Sequence, residues 1–239
     1  MKLKKILILG MLGGVALGLS PTARASIVGS KHDFSVGTNY LVNGVSFVSS
    51  ATSTNVCGAC HTIHHAPDPA RGPLWIHTPT KNTFVTYNQS GSETFPSGLT
   101  VALGSSSLAC LSCHDGSVAI NSQDSLSDGI ISTSIKDTTP VFISPKAVVI
   151  EVSGNVDDLT HMHPIGINYS TAVGLMPQGD LNPITTPIAG GTIANVMLKS
   201  GNVECSSCHD IHRTQGTSTS SGIYTIASGQ LLCLTCHNK

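Results

Sequence analysis

The chain has 239 residues, with 12 Lys and Arg against 13 Asp and Glu, 11 His, 8 Cys and one Trp. So few cations, spread thinly, argue against a nucleic-acid or anionic-membrane partner, since both recruit clustered Lys and Arg. With four Tyr and five Phe, side chains alone make a thin core for this length, so buried apolar surface must come from another source.

In chain order, residues 1–25 read as a signal peptide. Lys2, Lys4 and Lys5 form a basic start, residues 6–19 are an apolar run too short to span a bilayer comfortably, and Ala23-Arg24-Ala25 is a small-x-small cleavage signal. A retained signal anchor is the alternative. Cleavage after Ala25 removes four of the 12 basic residues and none of the 13 acids, leaving 8 against 13, a net −5. No later stretch is long and apolar enough for a transmembrane helix. Residues 26–239 are then one domain of an exported protein, extracellular or at the outer cell surface, with the periplasm as the alternative.

Strand-like runs occur at residues 40–48 and 147–152. Asn182-Pro183, Thr186-Pro187 and Gly190-Gly191 are turn signals, and residues 217–222 form a small polar tract expected as a loop. Short helices are expected only around the cysteines: residues 105–107 cap a turn running through 110–114, and Ser228 caps one through 233–237. Residues 118–159 carry no motif, and their role is left open. The fold class expected is mainly irregular chain, with short helices at the Cys motifs and few short strands.

All eight cysteines fall into four motifs: Cys57-Gly-Ala-Cys60-His61, Cys110-Leu-Ser-Cys113-His114, Cys205-Ser-Ser-Cys208-His209 and Cys233-Leu-Thr-Cys236-His237. This is the spacing of covalent c-type haem attachment. Two thiols three apart on a helical turn reach the two vinyl groups, and the adjacent His lies under the iron as proximal ligand. Zinc ribbons, disulfides and redox Cys pairs compete for such pairs. None of them requires a His directly after the second Cys, and all four motifs have one. Four haem c groups are expected, with His61, His114, His209 and His237 on the irons, and their porphyrins would supply the missing apolar surface.

Seven other histidines remain: His32, His64, His65, His77, His161, His163 and His212. They outnumber the four irons, while Met in the exported part is limited to Met162, Met176 and Met197. Every iron is therefore expected to be held by two His at low potential, with no position for substrate. His64 and His212 each follow a proximal His by three residues and emerge on its side of the porphyrin, so each serves a different haem. The distal set expected is His32, His64, His77 and His163, with His212 and then His161 in reserve. Pro164 holds the chain extended just after His163. His65 is expected exposed or as a hydrogen-bonding neighbour of a ligand.

The segments 57–65, 73–77, 163–166 and 205–212 resemble the multihaem cytochromes of bacteria that respire on extracellular minerals. In haem count and size the chain is most similar to the OmcE-like tetrahaem nanowire subunits, and more distantly to the hexahaem filament cytochromes. The resemblance covers most of residues 26–239, with its specificity in these motifs. It implies a mostly coiled chain wrapped around a haem stack, subunits that polymerise head to tail, and one axial His supplied by the neighbouring subunit, at the position of His64. Other redox proteins and extracellular electron acceptors are the further partners expected.

The function expected is electron transfer, with no enzymatic site. A soluble periplasmic shuttle is the alternative. A nitrite- or hydroxylamine-type reductase is a more distant one, because no Cys-x-x-Cys-Lys variant occurs and Lys and Arg are sparse near the motifs.

Overall fold

The computed structural model describes residues 27, 30, 32–33, 39–42, 45–48, 56–58, 60–62, 66, 71–89, 95–120, 122, 142, 150–153, 156–212 and 229–238. The expected signal peptide, His64, His65, Ser228, the tract 217–222 and most of residues 121–149 lie outside the described residues.

Fourteen short helices and strands follow one another among the described residues, joined by turns and irregular chain. β1 (Asn39–Val42) and β2 (Val45–Val48) pair antiparallel, Asn39 opposite Val48. The run expected as one strand at 40–48 is thus two. The signal was present in the sequence: Asn43-Gly44, between the two strands, is the residue pair most used to close a two-residue hairpin. β3 (Thr83–Val85) leads into a single 3₁₀ turn (Tyr87–Gln89) and then α1 (Ser105–His114). β4 (Ile150–Ser153) and β5 (Val156–Asp158) complete a three-stranded sheet in the order β3-β5-β4, with β5 parallel to β3 and antiparallel to β4.

The remaining elements are shorter. β6 (Ile167–Asn168) runs directly into α2 (Tyr169–Leu175). β7 (Pro187–Ile188) and β8 (Gly191–Thr192) form a hairpin through the expected Gly190-Gly191 turn, followed by α3 (Ile193–Val196). β9 (Asn202–Val203) pairs with β6, and α4 (Cys205–Cys208) and α5 (Gly229–Cys236) carry the last two Cys motifs. The expected fold class holds: the chain is mostly coil with few short helices and strands. Two details differ. α2 and α3 lie away from any Cys motif; α2 starts there because Asn168 accepts the Thr171 N–H at 3.0 Å, an ordinary N-cap. And α1 is capped by extended Gly104, with Ser105 as its first helical residue.

Apolar packing is divided into small clusters. Leu111, Leu159 and Ile165 form one, with Cys205 at its edge. Tyr169, Ile193, Met197 and Leu198 form another, with Leu232 and Cys236 against it. Leu99, Ile167 and Ala172 form a third. Each is a few side chains, as the composition required, and the first two end at a cysteine of a Cys-x-x-Cys-His motif. Gly166 ties the α1 and α4 approaches together: its N–H donates to Val203 O (2.7 Å) and its carbonyl accepts from the Ala102 N–H (2.8 Å). It sits at φ +75°, and a Cβ there would lie 2.8 Å from the Ala102 carbonyl. Only glycine meets both conditions.

Candidate functional site

Each Cys motif folds as one helical turn. In motifs one, three and four the His N–H donates to the carbonyl of the first Cys: His61 to Cys57 (2.9 Å), His209 to Cys205 (3.0 Å) and His237 to Cys233 (2.9 Å). Motif two lies within α1. Positions i, i+3 and i+4 of a turn share a face, so both thiols and the imidazole of each motif are presented together.

Different parts of the chain hold the four turns. Motif one is gripped by residues 72–77: Thr62 N–H donates to Leu74 O (2.7 Å) and Ile76 N–H to Cys60 O (2.9 Å). Motif two is anchored by Asp115, fully buried, which accepts from Thr80 Oγ1 and from the Ser117 N–H at 2.8 Å. Motif four is closed by two residues that sequence reasoning passed over. The Asn182 N–H donates to Cys236 O (2.8 Å), its side-chain amide donates to Leu234 O and Thr235 O (both 3.1 Å), and Tyr169 Oη donates to Asn182 O (2.9 Å) and sits 3.1 Å from Cys236 O. These satisfy carbonyls that the end of α5 leaves open. Neither residue carries a motif, and only contacts across the fold reveal it.

Motifs two and three dock on each other through Glu204, which is 2% exposed. Its carboxylate accepts from the Gly104 N–H (3.0 Å) and from Ser107 Oγ, while Ser107 Oγ accepts the Cys205 N–H (3.0 Å). Ser206 and Ser106 hydroxyls bond at 3.0 Å, and Glu204 with Ser207 forms a reciprocal capping box on α4. Burial pushes the Glu204 carboxyl up from its ordinary value, against the downward pull of its bonds to Ser107 and Gly104.

The eight cysteines, none in a disulfide, influence one another between successive motifs. The bond between the Cys110 and Cys205 thiols pushes Cys110 up and Cys205 down. The charge of Cys60 bears on both Cys110 and Cys113, and that of Cys236 on Cys208. Burial is the main cause that lifts Cys60 and Cys208 to about 11. These sulfurs are the atoms that thioether bonds to haem would use.

Three motif histidines each have the ring of a histidine from elsewhere in the chain beside them. The ring centroids are 6.0 Å apart for His32 and His114, 6.2 Å for His61 and His212, and 6.1 Å for His163 and His237. Two metal–nitrogen bonds of about 2 Å plus the half-widths of two imidazoles place the centroids about 6 Å apart across one metal. The tautomers suit this. His61 Nδ1 donates to Pro73 O (2.8 Å) and His163 Nδ1 to Pro164 O (2.9 Å), which leaves each Nε2 lone pair for a metal. Burial, then the His114, His209 and His212 rings, lowers His32 to about 4, so it is neutral. The indole Nε1 of Trp75, whose ring stands edge-on to His61 at 5.9 Å, is buried with no hydrogen-bond partner among the described residues. A haem carboxylate beside motif one would supply an acceptor. The residues therefore fit haem c. Among the described residues no three Cys, His, Asp or Glu converge as a zinc ion requires.

Of the expected distal set, His32 and His163 stand opposite proximal histidines, as does the reserve His212. His77 is placed differently: it is 3% exposed, its Nδ1 donates to Thr78 O (2.9 Å), and its Nε2 lies 3.1 Å from Ala119 O and 3.2 Å from Cys113 Sγ. His161 is exposed, 3.4 Å from Asp158. His64 lies outside the described residues.

A doubled CXXCH motif family model matches residues 197–239, which contain motifs three and four. The match spans 43 of the 239 residues, and the paired motif it describes is the haem-binding motif of multihaem c-type cytochromes. No curated protein matches the chain. Multihaem c-type cytochromes hold haem covalently, are generally electron carriers and are typically exported; among the described residues no helix of this chain is long and apolar enough to cross a membrane.

Proposed function

We propose that the protein is a tetrahaem electron-transfer cytochrome whose four irons are each held by two histidines, delivering electrons to extracellular acceptors as a filament of OmcE-like subunits. The observation that carries the reading is the repeated placement of a motif histidine about 6 Å from a second histidine (His32 with His114, His163 with His237). Bound haem supplies a one-electron ferric/ferrous couple. The chain's residues do the rest. Cys57, Cys60, Cys110, Cys113, Cys205, Cys208, Cys233 and Cys236 anchor the four groups, and His61, His114, His209 and His237 bind the proximal faces. Paired imidazoles leave no position for a substrate, which favours a carrier over an enzyme and low potentials over the higher ones of Met/His ligation.

The hydrogen bond between the Cys110 and Cys205 thiols, and the electrostatic influence of Cys60 on motif two and of Cys236 on motif three, support a continuous chain of four groups. Export follows from the leader at residues 1–25. In the filament, His64 is the candidate ligand donated to the neighbouring subunit. One end donates and a different end accepts, so the contact is heterologous and propagates unless it closes into a ring.

Intact mass of protein matured in a host that attaches haem c tests the stoichiometry: four haem additions and no reactive thiol are expected, and two or fewer haems would refute it. Negative-stain microscopy of the same material tests assembly. Filaments that are lost in His64→Ala support the joint, whereas wild-type monomers or unaffected filaments contradict it, monomers pointing to a periplasmic shuttle.

A further inference from the structure

We infer that His212 is the second axial ligand of the haem attached at Cys57 and Cys60, so that the segment after the third motif closes the iron site of the first. The inference rests on the two-histidine reading above and assigns one iron within it. The His61 and His212 centroids are 6.2 Å apart with rings inclined by 31°, the spacing shared by the two other facing pairs.

Bare ring contacts also fall in this range, so the nitrogens decide. His61 commits Nδ1 to Pro73 O, leaving Nε2. In His212, Nδ1 is the nitrogen beside a carboxylate, 3.9 Å from Asp210 Oδ1, and the same oxygen accepts the His212 N–H at 3.0 Å. At 3.9 Å this is a charge approach and not a hydrogen bond; it favours the proton on Nδ1 and leaves Nε2 for a metal. Two further constraints agree. α4 ends at Cys208 and His209 is extended, so His212 leaves the helical turn of its own motif, and the motif histidine whose ring it meets at this spacing is His61, from another motif. The irons under His114 and His237 already have His32 and His163 facing them.

Two consequences follow. The first haem fastens the early part of the chain to the late part, and its iron becomes six-coordinate only when both have been exported and folded. That iron is also completed from within one chain, so it is not the one a neighbouring subunit completes, and a ligand donated by His64 goes to a different haem.

The test uses full-length matured protein with carbon monoxide as probe. His212→Ala carrying four haems should contain one high-spin iron and take up one carbon monoxide per chain when reduced. In Cys57→Ala/Cys60→Ala, which lacks the first haem, adding His212→Ala should open no further iron. A fully low-spin His212→Ala that binds no carbon monoxide overturns the assignment, and an iron opened by His212→Ala in the three-haem protein reassigns His212 to another haem. If either variant fails to mature, His212→Met decides: one haem with the long-wavelength Met–iron band and a raised potential is expected, and four unchanged haems overturn the inference. Carbon monoxide binding by the wild type would instead defeat the two-histidine reading on which the inference stands.

Discussion

Replacing Glu204 by Ala should loosen the docking of motif two on motif three. The change strips the acceptor from two buried donors, the Gly104 N–H and the Ser107 hydroxyl. Each donor left unsatisfied costs about 1–3 kcal/mol. Removing a carboxyl whose burial is itself unfavourable returns part of that, so a net loss of about 2–3 kcal/mol is expected from these opposing contributions. Glu204→Gln keeps an oxygen for Gly104 and should cost about 1 kcal/mol. Denaturant unfolding of haem-loaded protein, followed by far-UV circular dichroism, measures both. The pH dependence has a definite sign. Because burial raises the folded Glu204 above its ordinary value, its contribution is fully present below the unfolded carboxyl pKa and is lost as pH rises through the folded one. Wild type should therefore lose stability relative to Glu204→Gln as pH rises through that window. A Glu204→Ala cost under about 0.5 kcal/mol, below that of an ordinary net hydrogen bond, or a Gln variant no better than Ala, would refute the clamp.

Three further outcomes are expected. His163→Ala should open the iron under His237, seen as one high-spin haem that binds carbon monoxide; an unchanged low-spin spectrum would separate His163 from that iron. Gly166→Ala should lower stability by more than the roughly 1–2 kcal/mol of a left-handed non-glycine residue, because its Cβ also meets the Ala102 backbone; a thermal midpoint equal to wild type would contradict this. Tyr169→Phe should cost about 1 kcal/mol, one buried hydrogen bond, and Asn182→Ala more, both read by denaturant unfolding. Equal and negligible costs would remove them from the support of motif four.

The haem-attachment turns were legible from residue identity alone, because thiol, thiol and imidazole must lie on one helical face whatever surrounds them. The irregular fold was legible for a related reason: Ser, Thr, Gly and Pro at this density, with few aromatics, do not sustain long periodic elements. The histidine pairings were only partly legible. His32 and His163 were named as ligands, but which motif each one faces depends on contacts between distant segments. His212 shows the same limit: the spacing from His209 implies a continuing helical turn, but α4 ends at Cys208, and only the contact with His61 says which motif it meets. Glu204, Asn182 and Tyr169 left no signal, as each acts through backbone groups far away in sequence.

The central claim is a chain of four haems with every iron closed by two histidines. The most direct measurement is carbon monoxide titration of the reduced, fully matured protein, with spin state read by optical and paramagnetic resonance spectra in both redox states. Four haems per chain, all low-spin when oxidised and when reduced and with no carbon monoxide taken up, are the predicted result. Stoichiometric carbon monoxide binding in the wild type, or a high-spin iron in either state, would contradict it.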